Sequence, residues 1–369
     1  MQEALKPSEL GNAMAICFKA GRAPMVHGDP GIGKSQIAQQ TADLMFAEKY
    51  GYKIHEGVLY APKVERTGTG ARTMKQSFHE AVPAGFERPW FKDVRAALLD
   101  AVDVRGLPTV TDGHVIWATP GFLPTDERGG IFFLDEINRG TEMVANALFS
   151  LILDRQVGEY RMPDSWIPAA AVNDKDTGAR KMSSALQSRF IHLDARTDLD
   201  DVCKFAIQHN WEPAVVAFLR FRPGDLHNYE PTRRVSPNPR AWEFVSQIVA
   251  QNPPESVLFP LISGAVGEGA AIEFVGFLKM FKELPSIDAI MLDPDRAQLV
   301  TTPQTMYAVA SALARRATDR TFGQIVKYLN RLPVEFNVLC VKDAVIRCTA
   351  IQSTREFTNW SIAHSDVTF

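Results

Sequence analysis

One eight-residue loop limits what this chain can fold into more than any other feature. Gly28-Asp29-Pro30-Gly31-Ile32-Gly33-Lys34-Ser35 matches the spacing G-x-x-x-x-G-K-S/T. It lies between a short apolar run, Pro24-Met25-Val26-His27, and a stretch over 36–50 that reads as helix. That strand, loop and helix order is the setting in which such a loop cradles phosphates. Its glycines bring the backbone close to the phosphates, while successive N–H groups and the helix amino end supply partial positive charge. Lys34 adds a full charge, and Ser35 is suited to hold Mg²⁺. The motif therefore predicts that Gly28 through Ser35 bind the phosphates of a nucleotide, with Mg²⁺ as counterion and Lys34 against the transferring phosphate.

A second segment supplies the acids that phosphoryl transfer needs. Ile131-Phe132-Phe133-Leu134 is a continuous apolar run, as expected of a strand buried on both faces of a parallel sheet, and it ends in Asp135-Glu136. Asp135 would hold the water shell of Mg²⁺, and Glu136 would polarise an attacking water. Two acids of this kind also serve simply to begin the helix that follows. A water-activating glutamate suits hydrolysis rather than transfer to a small molecule. Further strands are expected over 94–99, 114–118, 166–172 and 190–193, alternating with helices such as 141–153, so the first part reads as an α/β parallel sheet. Residues 51–90 are rich in Gly, Pro, Arg and Thr and read as an insertion or long loop. From Asp198 onward helical periodicity dominates, and proline-rich joints divide that half into packets.

Composition removes several classes. The 369 residues have 46% hydrophobic and 22% charged side chains, a globular mixture. Lys plus Arg total 40 against 43 Asp plus Glu, a net charge of -3 without the basic surplus usual for an electrostatic nucleic-acid binder. Cys17, Cys203, Cys340 and Cys348 are scattered, with neither disulfide nor zinc spacing. The longest apolar stretch, 257–266, contains Pro260 and Gly264 and is too short for a membrane span. The amino-terminal segment lacks the features of a signal peptide, so a cytoplasmic location is expected.

Three further elements follow in order: Asn173 at the end of the 169–172 run, Ala185-Leu186-Gln187-Ser188-Arg189-Phe190, and Ser236-Pro237-Asn238-Pro239-Arg240-Ala241-Trp242. Together with the two motifs, they resemble an AAA+ ATPase, and over about residues 28–242 the chain looks like the MoxR branch of the helix-2-insert clade. Asp135-Glu136-Ile137-Asn138-Arg139, Asp103-Val104-Arg105-Gly106-Leu107-Pro108 and the A-L-x-x-R-F element carry that narrower likeness. The resemblance implies a P-loop NTPase sheet core over 1–197, a helical lid over 198–255 and additional helices over 256–369. It makes Asn173 similar to sensor 1, Arg189 to the arginine finger that reaches a neighbouring subunit's nucleotide, and Arg240 to sensor 2. Arg220, Arg233 and Arg234 compete with Arg240, and Arg139 and Arg180 are further candidates for an intersubunit role. Two pore-lining hairpins are implied near 115–123 and 156–161, with Trp117, Phe122 and Tyr160 as aromatics that would touch substrate or belong to the core.

The expected function is a Mg²⁺-dependent ATPase that assembles as a homo-oligomer, a hexameric ring in this family, and remodels, matures or activates a protein partner. A von Willebrand factor A domain protein is the partner type the resemblance implies. The competing reading is a DNA-associated AAA+ motor or loader. Against it stand the acidic balance and the lack of a dense Lys/Arg stripe.

Overall fold

The computed structural model describes residues 3–55, 58–67, 74–83, 85–112, 114–173, 175, 182 and 184–366, and divides into two compact units, 1–196 and 197–369. The first unit is built on a parallel sheet. Its strands are β1 (Pro24–His27), β5 (Phe91–Arg95), β8 (Gly130–Asp135), β11 (Trp166–Val172) and β12 (Ile191–Asp194), in the order β12-β1-β11-β8-β5. β8 and β11 are central and need apolar residues on both faces. Within β8, Ile131 and Phe133 join a cluster with Leu10, Met14, Ala38 and Ala42, from helices α1 (Pro7–Lys19) and α2 (Lys34–Phe46). Phe132 and Leu134 join Val144, Leu148 and Leu151 of helix α4 (Glu142–Leu153) on the other face. Each such side chain stabilises the fold by roughly 1.5–3 kcal/mol. Thr141 caps α4, its side chain accepting from the Val144 amide.

Several sequence expectations shift. The strand expected over 94–99 runs from Phe91 to Arg95 and gives way to a 3-10 turn, because Val94 and Phe91 are the buried positions while Ala97 and Leu98 face solvent. Of the segment 51–90, read as an insertion or long loop, the described residues include three strands: β2 (Lys53–His55), β3 (Val58–Thr67) and β4 (Met74–Ala81) form an antiparallel sheet in the order β2-β3-β4. The glycines that suggest a loop cluster at 68 and 70, outside the described residues. The first expected hairpin lies earlier than 115–123: β6 (Leu107–Thr111) pairs antiparallel with β7 (His114–Ala118), after the one-turn helix α3 (Ala101–Arg105). The second, β9 (Gln156–Val157) with β10 (Tyr160–Arg161), falls where expected. The short helix α5 (Ser184–Gln187) precedes β12.

All regular structure among the described residues of the second unit is helical: α6 (Leu199–Gln208), α7 (Pro213–Phe221), α8 (Pro239–Ala250), α9 (Glu255–Val266), α10 (Glu268–Lys282), α11 (Ile287–Leu292), α12 (Pro303–Arg316), α13 (Phe322–Leu329), α14 (Val334–Arg347) and α15 (Arg355–Ala363). One apolar cluster centres on Phe218, Trp242, Phe274 and Phe277, with ring centroids 5.2–5.6 Å from Phe218. It draws on residues from both sides of position 255. A second cluster gathers Phe322, Tyr328, Val341 and Trp360. Between α7 and α14 the buried Arg220 guanidinium makes a two-pronged pair with Asp343, one bond being 2.7 Å. No helix among the described residues is long and apolar enough to cross a membrane.

Asp343→Ala leaves that guanidinium buried without its anion and is expected to cost about 3–5 kcal/mol in urea unfolding, whereas Arg220→Met with Asp343→Leu costs much less. Equal losses would show that the pair is not the reason for the cost.

Candidate functional site

The strand order sets the site. β11 lies between β1 and β8, with Met25 beside Ala170 and Ala170 beside Leu134, so the carboxyl ends of the three strands are level. The loop after β1, the residue after β11 and the acids ending β8 therefore meet at one edge. Ser35, in the first turn of α2, donates from Oγ to Asp135 Oδ2 at 3.0 Å. Lys34 Nζ turns back over the loop and donates to the carbonyls of Gly28 at 2.6 Å and Asp29 at 3.0 Å. Asn173 stands immediately beyond β11, and its Oδ1 is buried with no hydrogen-bond partner among the described residues. A buried amide oxygen is costly to leave unpaired and marks a place where a donor is expected.

Two glycines explain the loop. Gly33 has φ +94°, which side chains rarely adopt, and a Cβ on Gly28 would come within 2.6 Å of Ile32 Cδ1 and 3.1 Å of the Ala195 carbonyl oxygen. Pro30, Gly31 and the buried Ile32 form the crest between them.

The acids differ in setting. Asp135 takes the Ser35 hydroxyl on one oxygen and the Glu136 amide, at 3.0 Å, on the other. Glu136 has a left-handed backbone, φ +51°, uncommon for a glutamate and the kind of strain that gathers at functional sites. Its carboxylate faces solvent and is met by Arg139 Nη1 at 3.4 Å, which turns Arg139 toward its own chain's acid.

Sequence reasoning missed three neighbours. Lys175 Nζ bonds Asp29 Oδ2 at 2.9 Å, tying the loop to the segment after Asn173. His27, the last residue of β1, and His192 of β12 meet at 2.7 Å. Their signals were positional: Lys175 lies two residues after Asn173, and His27 directly precedes Gly28.

The other candidates are dispersed. Arg189 is exposed in the turn before β12. Since β12 runs parallel to β1 with Ile191 beside Pro24, Arg189 lies at the amino end of the sheet, a strand length of about 13 Å from the end that bears the phosphate loop. Arg240 belongs to the second unit, exposed in the first turn of α8, where Asn238 accepts from the Ala241 amide. Of its competitors, Arg220 is buried against Asp343, Arg233 pairs with Glu230 at 2.6 Å, and Arg234 is exposed. Arg180 lies outside the described residues. Trp117 is exposed on β7, and Phe122 packs partly against the sheet. Tyr160 is tied down: its hydroxyl donates to the Pro124 carbonyl at 2.5 Å, and burial pushes its phenol up to about 12.

Residues 66–190 match the family model of the AAA domain, dynein-related subfamily. The match takes in Asp135, Glu136, Asn173 and Arg189 and begins after the phosphate loop. Solved structures that align with the chain include NtrX from Brucella abortus, 13% identical with a TM-score of 0.39, over 69% of this chain and 53% of that one. A RuvB point mutant from Thermotoga maritima aligns at 16% identity and a TM-score of 0.34, over 84% of each chain. The chain thus spans about half the length of the NtrX chain. Among curated proteins none matches the sequence. Site and match together define a P-loop fold of the AAA class, a class that binds nucleotide and hydrolyses ATP. More particularly, it is over residues 66–190 that the chain is similar to the AAA domain of the dynein-related subfamily.

Gly33→Ala, which meets no atom within 4 Å but must keep φ near +94°, is expected to lose about 1–2 kcal/mol of stability in urea unfolding. An unchanged midpoint would contradict the strain assigned to the loop.

Proposed function

We propose that this protein is a Mg²⁺-dependent ATPase of MoxR-like type, acting as a homo-oligomeric ring, hexameric as in that family, to remodel or activate a protein partner. The observation that carries the hydrolytic part is the convergence of Ser35, Asp135 and the unpaired Asn173 Oδ1 beside the Lys34 loop. Ser35 Oγ and Asp135 are oxygen donors of the kind Mg²⁺ prefers, and they already touch, so the residues fit that ion. Bound there, Mg²⁺ would neutralise phosphate charge.

The chain's own residues divide the rest. Lys34 exchanges its two carbonyl bonds for phosphate oxygens, and the loop amides with the α2 amino end bind the remaining charge. Glu136, released from Arg139, orients water, and Asn173 holds that water or the terminal phosphate by its amide. Arg189 acts on the nucleotide of the next subunit. Its exposure and its position at the opposite end of the strands from its own phosphate loop support action between subunits rather than within one. Arg240 is the sensor of the helical unit, favoured over Arg220 because Asp343 occupies that guanidinium.

The hairpins β6–β7 and β9–β10 support the MoxR-like reading. Four large apolar side chains of the first, Leu107, Val110, Val115 and Ile116, are exposed beside Trp117, a surface suited to a polypeptide. A von Willebrand factor A domain protein is the partner type to test first.

Glu136→Gln is expected to keep ATP affinity within about twofold while kcat falls at least about 100-fold, and Arg189→Ala to lose a similar factor with nucleotide still bound. Steady-state turnover with a fluorescent-nucleotide titration checks both. Parental turnover by Arg189→Ala would remove the intersubunit role.

A further inference from the structure

The two histidines lie outside the phosphate site just described, yet they connect it to Arg189. His27 ends β1 and directly precedes Gly28. His192 sits on β12, beside Met25 in the parallel register, so both imidazoles emerge on the same face of the sheet, His192 two positions nearer the strands' amino end. His27 Nε2 and His192 Nδ1 are 2.7 Å apart, their rings tilted by 34° with centroids at 5.0 Å. His192 Nε2 lies 2.8 Å from the carbonyl oxygen of Gln187, the last residue of α5.

The partners fix the direction of these bonds. A carbonyl oxygen only accepts, so His192 Nε2 carries the proton and donates to Gln187. In the tautomer with that proton on Nε2, Nδ1 is the accepting nitrogen, and His27 Nε2–H donates to it. The same Gln187 carbonyl accepts from the Phe190 amide at 3.2 Å, closing the turn that contains Ser188 and Arg189. One end of the chain of bonds is therefore the strand entering the phosphate loop, and the other is the turn that presents the arginine.

We propose that His192, its tautomer set by the Gln187 carbonyl and its ring held in place by His27, is the positioning residue for Arg189: it pins the Gln187 carbonyl and so sets the angle at which the arginine is offered to the neighbouring subunit. The inference rests on reading Arg189 as acting in the next subunit's site. His192 touches no substrate in this account. It acts through Arg189, and its loss lowers catalysis in the adjacent subunit rather than in its own.

That displacement of effect is the test. Full-length Lys34→Ala chains, which keep Arg189, are mixed with Arg189→Ala chains, which keep an intact nucleotide site. Recovered turnover then comes from interfaces where the first kind of chain serves the second. His192→Leu placed in the Lys34→Ala chain is expected to lower the recovered kcat about five- to tenfold, the scale of one lost positioning hydrogen bond, without raising KM. Placed in the Arg189→Ala chain, it leaves the recovered rate unchanged. His192→Gln, which can accept from His27 and donate to Gln187, restores most of the rate. His27→Leu in the Lys34→Ala chain gives a loss of the same kind and serves should His192→Leu fail to fold. An effect confined to the chain that binds nucleotide, no effect in either, or His192→Gln as poor as His192→Leu overturns the proposal. No recovery in the parent mixture overturns the reading of Arg189 itself, and that result is visible before any histidine is changed.

Discussion

Ser35 Oγ and Asp135 Oδ2 meet across 3.0 Å, joining the first turn of α2 to the carboxyl end of β8. This contact requires a level edge of parallel strands, and that edge follows from placing β11 between β1 and β8. The strand order in turn depends on β8 and β11 being apolar on both faces, since each is covered by helices on one side and by α4 on the other. A polar residue at Phe132 or Ala170 would therefore act on the nucleotide site through the core, by moving the strand ends that hold Asp135 and Asn173.

The charges at this edge are held by their own neighbours. Lys34 occupies loop carbonyls, Lys175 neutralises Asp29, and Arg139 meets Glu136. All are exchangeable contacts. The Arg139–Glu136 pair is part-exposed on both sides, where an ion pair contributes at most about 1 kcal/mol, while Lys175 is exposed and its partner Asp29 mostly buried. The Arg220–Asp343 pair of the helical unit belongs to the other regime, because both partners are buried and neither is replaceable by water.

The elements legible in the sequence were those set by local chemistry. The glycines and Lys34 specified the loop, the continuous apolar run specified β8, and Thr141 marked the start of α4 within a residue. What was not legible depended on pairing. The 51–90 segment read as an insertion or long loop because its Gly, Pro, Arg and Thr hide strands that only the pairing among β2, β3 and β4 reveals. The hairpin at 107–118 was displaced because its first strand, Leu107–Thr111, contains Pro108 and is recognised only by its partner. In the candidate site, Ser35 and Asp135 were proposed from motif and strand end, and Asn173 from the family resemblance. Lys175, His27 and His192 were missed because a lone Lys or His has no pattern until the fold supplies its partner. Arg139 was, with Arg180, only a candidate for an intersubunit role, and its contact with Glu136, three residues away in its own chain, could not be read before the fold brought the two together.

On the proposed reading, one nucleotide site is shared between two chains, and complementation between two silent variants tests this most directly. Purified Lys34→Ala and Arg189→Ala proteins are assayed for ATP turnover alone and after equal mixing. The account predicts negligible rates for each alone and recovery to about a quarter of the parental rate in the mixture, the share of randomly formed interfaces where an intact loop meets an intact arginine. A mixture no faster than the sum of its parts would contradict it.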